Sequence, residues 1–411
     1  MALYIKNSNL NLYRKIYHIL KEFLKEIIKS PSILVVIVGT FFFWASLYLY
    51  VPILPNHSKD LGASATMIGY IVASYAIGQI ILRIPLGIAV DIWGTKPFAI
   101  LTMLCSGLGS FGLLISDGPI DIFFARLITG IAGAGWVAIS LLFASQFKKQ
   151  LLHYASSFMM GINGVAITLS TFLSGRLSDL YGEKTPFLAS LIVSFMGMII
   201  LFWAKDKKPK NVNLNKSKMI KLLKNDVLLR MSAIAIGFHF VTFAINFGFL
   251  PILIENLGGS KTNIGDITTL SQLAGITGMA LSAWFISKIG IRKTMILGST
   301  SMIISLIFTS YIENLTIIAG LQFISGFGRG ILYTVTITLI LFSFEDNSRG
   351  LAMGAYQAYY AVGMFLGPAI SGFVVNSFGI NAIFWLSSLI TLIALIIGVY
   401  KPYKTDLKGV N

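Results

Sequence analysis

The chain has 411 residues, of which 55% are hydrophobic and only 12% charged. A soluble domain carries roughly 25% charged residues, so a mean hydropathy of +0.80 excludes a free soluble enzyme and a disordered chain. One cysteine, Cys105, excludes an intrachain disulfide scaffold, and the net charge of +16 raises nucleic acid as a partner until the charges are placed.

In chain order, residues 1–30 form a basic segment with no small-residue cleavage site. Leu12, Ile16, Ile19, Leu20, Phe23, Leu24 and Ile27 recur at helical spacing opposite Arg14, Lys15, Lys21, Lys25 and Lys29, which predicts a cytoplasmic amphipathic helix on the membrane surface. Twelve apolar stretches follow, each near the roughly 20 residues that cross a bilayer core. They are residues 31–54, 66–90, 97–116, 120–146, 155–178, 186–204, 231–254, 263–286, 294–312, 315–343, 350–376 and 380–400. The first six make an N-terminal bundle (31–204) and the last six a C-terminal bundle (231–400). A basic linker (205–230) joins them, and 401–411 is a tail.

With the N-terminus inside, 25 of the 32 basic residues fall on inner segments and 4 on outer loops, while the acids divide evenly. The positive-inside rule then puts both termini in the cytoplasm of a multi-pass plasma-membrane protein, and the nucleic-acid reading falls.

An internal repeat organises the spans. Gly87-Ile-Ala-Val-Asp91-Ile-Trp-Gly94 after span 2 recurs as Gly175-Arg-Leu-Ser-Asp179-Leu-Tyr-Gly182 after span 5. Ala283 to Gly290 follows span 8 and Gly372 to Gly379 follows span 11. The two halves align at one offset of 196, which pairs Gly94 with Gly290 and Lys96 with Arg292. The fold class is therefore all-α: twelve transmembrane helices in two pseudo-symmetric six-helix bundles, each of inverted three-helix repeats, as in alternating-access transporters.

Over residues 31–400 these motifs resemble the major facilitator superfamily. Gly87 to Lys96 resembles its signature loop between helices 2 and 3, and Arg126-Leu-Ile-Thr-Gly130 its helix-4 motif. Gly363-Met-Phe-Leu-Gly367-Pro368 resembles the Gly-x-x-x-Gly-Pro element that exporters carry on helix 5. Here it lies on helix 11, while helix 5 has Ala166, Ser170 and Thr171 at those positions. The resemblance implies that Asp91 meets the N-terminus of helix 11 in one state and releases it in another. It also implies that helices 1, 4, 7 and 10 line a central cavity. Gly87, Asp91, Gly94, Lys96, Gly367 and Pro368 are the gating candidates, Lys96 on the inner rim or a lipid phosphate and Gly367-Pro368 as a kink.

Charges inside spans cost roughly 2.5–3.5 kcal/mol on insertion scales and are functional candidates by default. Arg83, Arg126 and Arg329 lie within spans. Arg83 is placed to reach the inner headgroups. Arg329 stands near mid-depth of helix 10 on one face with Gln322, where its repeat mate is Gly133. His239, Thr242 and Asn246 form a polar stripe on helix 7, and Trp44, Tyr48, Trp136, Tyr333 and Tyr360 offer aromatic walls. The candidate substrate residues are these aromatics with Arg126, Arg329, Gln322, His239 and Asn246; His239 and Asp266 are the candidates for a coupling proton.

There is no phosphate-loop motif, no clustered metal-ligand motif and no paired catalytic carboxylate, so the chain reads as a non-enzyme with no cofactor. The expected function is secondary transport of a small molecule by a monomer in the lipid bilayer. The substrate has two readings. Tyr50-Val-Pro-Ile-Leu-Pro55 resembles drug:proton antiporters and suggests export of amphipathic compounds. The unpaired arginines, with Arg83-Ile-Pro-Leu-Gly87 resembling nitrate porters, suggest a permease or exchanger for small anions.

Overall fold

A computed structural model of the chain describes residues 21–206 and 222–402. Expectations placed on residues 1–20, 207–221 and 403–411, and on the side chain of Asp91, lie outside the described residues.

All the regular elements among the described residues are helical, and eleven are long and apolar enough to span a membrane. Span 1 is Pro31–Tyr48, span 2 Ala65–Trp93, span 3 Lys96–Ile115 and span 5 Leu152–Tyr181. Span 4 runs as Pro119–Ala134 and Trp136–Ser145, broken at Gly135. Span 6, Thr185–Leu201, is a shorter apolar helix of 17 residues, still within the crossing range. Span 7 runs from Asp226 to Asn256, span 8 is Lys261–Ile289 and span 9 Ile291–Thr309. Span 10 is Leu315–Ser343, span 11 Asp346–Phe378 and span 12 Ala382–Val399.

Local chemistry sets several boundaries. The oxygens of Ser64, Asn225, Ser260 and Asn314 accept from backbone N–H groups at the starts of spans 2, 7, 8 and 10. Proline opens spans 1, 3, 4 and 6, where its missing N–H costs nothing. Span 1 stops at Tyr48, earlier than the hydropathy suggests, and a short helix, Leu54–Asp60, follows the turn that contains Pro52. Span 7 starts five residues earlier than expected because Asn225 caps it. Arg230 is therefore part of the helix and donates to the Gly398 carbonyl at 2.7 Å, tying span 7 to the end of span 12.

The fourfold repeat is visible in the backbone. Gly94, Gly182, Gly290 and Gly379 each end a span with φ of +92°, +99°, +80° and +82°, a region that favours glycine. The halves meet along two seams, span 2 on span 11 and span 5 on span 8. A methyl group on Gly372 would lie 3.1 Å from Thr66 Cα, and one on Gly175 would lie 2.8 Å from Thr262 Cα. Thr66 and Thr262 are repeat mates, so the two seams are built alike.

We call the face carrying residue 30 and the loop after span 2 the inner face, and the opposite one the outer face. Helix 21–29 lies on the inner face. It does not rest wholly on lipid: Phe23 and Ile27 are buried in the protein core, while Leu24 and Ile28 point outward.

Candidate substrate site and gates

The outer face is shut. Lys59 Nζ meets Glu255 Oε2 at 3.4 Å, and Asn56 donates to the Pro251 carbonyl at 3.3 Å, both between the halves. Lys261 at the start of span 8 lies 2.7 Å from Glu255, 3.5 Å from Glu183 and 3.7 Å from Asp60. Asp179, closing span 5, accepts from the Thr262 backbone N–H at 2.7 Å, so a carboxylate faces the N-terminal end of span 8. Arg176 of span 5 pairs with Asp266 of span 8 at 2.5 Å.

Toward the inner face the seams part. Among the described side chains, the innermost polar contact between spans 2 and 11 is Arg83 with the Gln357 carbonyl at 3.2 Å and the Tyr360 hydroxyl at 3.4 Å. Beyond it, a methyl group on Gly87, Gly350 or Gly354 would meet nothing within 4 Å. The conformation is open inward and closed outward.

At mid-depth the aromatic candidates converge. Trp44 and Trp136 have ring centroids 5.0 Å apart, Trp44 and Tyr48 5.9 Å, and Tyr48 crosses to Phe247 of span 7 at 5.5 Å. Tyr75 of span 2 stacks on Phe243 of span 7 at 6.1 Å. His239 lies flat on Tyr360, with centroids 4.0 Å apart and 2° between planes. The Arg83 guanidinium sits 5.5 Å from the same tyrosine ring, so cation, phenol and imidazole are gathered at one place. Tyr333 packs on Phe238 beside them. His239 Nδ1 meets the Ala235 carbonyl at 2.9 Å, which makes that nitrogen the donor.

Arg83 departs from the expectation of a headgroup contact. Its Nη2 donates to Gln79 Oε1 at 2.6 Å, and the two span-11 contacts hold it in the protein. Arg329 donates to the Ser271 carbonyl at 3.1 Å and to Gln272 Oε1 of span 8. No Asp or Glu pairs with Arg83, Arg126 or Arg329 among the described residues. Trp44 Nε1, Gln79 Nε2 and Arg83 Nε are buried donors without an acceptor.

Other candidates are engaged within the bundles. Arg126 is 2% exposed, donates to the Tyr50 hydroxyl at 2.9 Å and lies 4.3 Å from the Tyr75 ring. Asn246 donates to Ser271 Oγ at 3.1 Å and approaches Gln322 at 3.5 Å, while Gln322 reaches Thr309 at 3.4 Å. The predicted stripe of His239, Thr242 and Asn246 is broken, because Thr242–Phe249 winds as a wide π-helix that changes the register. His239 consequently faces span 11 and Asn246 faces spans 8 and 10. Asp266 is taken up by Arg176 near the outer face.

The gating candidates divide in the same way. Lys96 donates to the Phe202 carbonyl at 2.6 Å, holding the C-terminal end of span 6 rather than a lipid phosphate. Gly94 turns against Asp206, whose carboxylate accepts from the backbone N–H groups of Thr95 and Lys96. A methyl group on Gly367 would lie 2.6 Å from the Phe240 carbonyl oxygen, so that glycine seats span 11 on span 7. Pro368 lies inside a helix that runs on to Phe378, with its carbonyl against Gly69 of span 2.

Sequence reasoning missed the outer contacts of Asp179, Lys261, Lys59 and Glu255, along with Tyr75, Gln79 and Gln272. The signal for Asp179 was its place as the repeat mate of Asp91. Gln79 and Gln272 could have been found as amides deep in apolar helices.

The family model for the Major Facilitator Superfamily matches residues 36–247 and 232–410. The chain belongs to the major facilitator superfamily. It is 26% identical over 390 residues to an uncharacterized MFS-type transporter of Methanocaldococcus jannaschii, covering 90% of this chain and 97% of that one. It is 24% identical to the multi-drug resistance efflux pump PmrA of Streptococcus pneumoniae, over 85% and 91% of the two chains. Among solved structures, a nucleoside transporter NupG variant superposes with a TM-score of 0.77 at 12% identity, over 90% of this chain and 99% of that one, a likeness of fold. The chain is thus a secondary transporter of the superfamily and not an enzyme.

Proposed function

We propose that this transporter carries small amphipathic organic anions, with Arg83 and Arg329 receiving the anionic group and Trp44, Tyr48, Trp136, Tyr333 and Tyr360 flanking the apolar body. The observation that carries the reading is the uncompensated donor set. Two arginines at mid-depth have only neutral acceptors, and nearby N–H donors of Trp44, Gln79 and Arg83 have none. A guanidinium in an apolar wall lacks its counter-charge, and a carboxylate or similar anion supplies it with bidentate geometry. The aromatic lining favours a substrate with an apolar body over a bare inorganic ion.

The direction we propose is export, with both termini in the cytoplasm of the plasma membrane, as the basic inner face supports. An anion leaving a negative interior gains about 2.3 kcal/mol per charge per 100 mV, so outward movement needs no proton-carrying acid in the core. Export also accords with what PmrA is named for.

The test uses proteoliposomes loaded with a labelled aromatic carboxylate or a lipophilic cation, under an imposed potential or an imposed pH gradient. Carboxylate efflux driven by the potential, and cut at least about tenfold by Arg329→Gln, is the expected result. Preferential efflux of the cation, or carboxylate efflux indifferent to Arg83→Gln and Arg329→Gln, overturns the reading.

A further inference from the structure

Helix 21–29 divides into four sectors at helical spacing. Phe23 and Ile27 are buried in protein: the Phe23 ring stacks on Phe147 at 5.2 Å and meets Phe158 of span 5 edge-on at 5.7 Å. Glu22 and Glu26 face Lys148 at 3.7 and 2.6 Å. Leu24 and Ile28 are 54% and 75% exposed. Lys21, Lys25 and Lys29, each four residues from the next, form an exposed row beside those two apolar side chains. Among the described residues none of these three lysines meets a carboxylate.

Above this helix lies an apolar cavity of about 750 Å³ between Ile37 and Phe41 of span 1 and Phe158, Gly161 and Val165 of span 5, with Phe23 as its end wall. A side chain on Gly161 would meet nothing within 4 Å, so the groove is open there. It opens toward the bilayer. Phe158 and Val165 share one helical stripe with Leu169 and Phe172, which are 45% and 38% exposed beside the closed outer seam and can face only the membrane there. From Tyr154 to Val165 the groove runs roughly 16 Å along the helix, about half of a hydrocarbon core of roughly 30 Å. That is the depth of one leaflet.

We propose that helix 21–29 and the groove between spans 1 and 5 bind one anionic phospholipid of the adjoining leaflet. Its phosphate lies at the edge of the lysine row where Lys21 and Lys25 adjoin Leu24 and Ile28, and one acyl chain fills the groove above Phe23. The charge row supplies the headgroup preference, since each lysine near an anionic surface contributes about fivefold in affinity. The groove replaces open space at Gly161 with methylene contacts. The site is separate from the central arginines and does not depend on what they carry.

The experiment is native mass spectrometry of the purified full-length protein, delipidated and re-exposed to phosphatidylglycerol or phosphatidylcholine of matched chains. Wild type should retain one phosphatidylglycerol with a preference of at least about tenfold, undiminished by millimolar inorganic phosphate. K21Q/K25Q/K29Q should lose the preference while still holding either lipid weakly, and Gly161→Phe should lose retention of both. Should Gly161→Phe fail to fold, as judged by elution and unfolding temperature, Val165→Trp blocks the same groove. Equal retention of the two lipids by wild type, displacement by free phosphate, or an undiminished preference in the lysine variant overturns the proposal.

Discussion

Lys59 and Glu255 occupy the same position in the two halves, 196 residues apart, and their side chains join at 3.4 Å across the outer face. A contact between repeat mates lies close to the pseudo-twofold axis, where the halves approach in one state and separate in the other. Both side chains are partly exposed, so the pair itself contributes no more than about 0.2–1 kcal/mol. Its placement means that all of this acts on the conformational equilibrium.

Charge reversal at Lys59 should therefore shift the population toward the outward-open form by up to about fivefold. The double variant Lys59→Glu with Glu255→Lys should recover part of it, the remainder being lost because Glu255→Lys sets a second, repelling cation beside Lys261. Distance distributions between spin labels on the outer ends of spans 1 and 7 read the shift, and a double variant no better than the single one would remove the pair from the gate.

Asp179 should have a larger effect, because it accepts from the backbone N–H of Thr262 at the start of span 8, where the helix dipole favours a negative charge. A carboxylate in this exposed position is worth roughly 0.3–1 kcal/mol. Asp179→Ala should open the outer face more than Lys59→Gln does, with Asp179→Asn in between. A thiol probe at Ser178→Cys, a near-isosteric change at a position buried at the same end of span 5, should label faster in the Asp179→Ala background. An unchanged labelling rate would mean that the seam closes through its glycines alone.

His57 makes the fold of the N-terminal half sensitive to acid. The imidazole is buried against the Phe187 ring at 5.0 Å, and burial lowers its pKa below the usual value near 6.5. Glu183 at 3.8 Å and Asp60 oppose that shift, while Lys184 reinforces it. The folded protein holds the neutral ring, so the stability that His57 contributes is complete above about pH 6.5. It is lost as pH falls below that value. Lowering pH from 7.5 to 5.5 should lower the unfolding temperature, and His57→Gln should remove that part of the pH response in a thermal-unfolding series.

How far the sequence could be read depended on what each residue answers to. The twelve spans, the repeat and the Gly94-type turns follow from hydropathy and from backbone geometry that favours glycine, both local properties. The gathering of Trp44, Tyr48 and Trp136 was also legible, because their helices were recognised as cavity-lining. Arg83 was not, since a choice between headgroup and protein depends on Gln79 and on a carbonyl 274 residues away. Asn246 was misplaced for a local reason that hydropathy cannot register: the π-helical stretch of span 7 turns it away from His239. Asp179 was found as a repeat element, but its partner lies on another span, beyond any spacing rule.

The two ends of span 2 offer the most direct test of alternating access. At the outer end, Gly69 lies against the Pro368 carbonyl and 2.9 Å would separate a methyl group there from Gly372 Cα. At the inner end, a methyl group on Gly87 meets open space. If the inner seam closes as the outer one does, Gly87 must approach span 11 as closely as Gly69 does now. Gly87→Leu should then leave this inward-open state folded, with an unfolding temperature near wild type, yet block the opposite state. Substrate binding from the inner face should persist while net transport falls by at least about tenfold, since a side chain wedged into a packed seam costs typically 1–3 kcal/mol. Gly69→Leu should do the reverse, destabilising the inward-open form and exposing the outer seam to thiol probes. Transport at the wild-type rate in Gly87→Leu would mean that the inner ends of spans 2 and 11 never come into contact during the cycle.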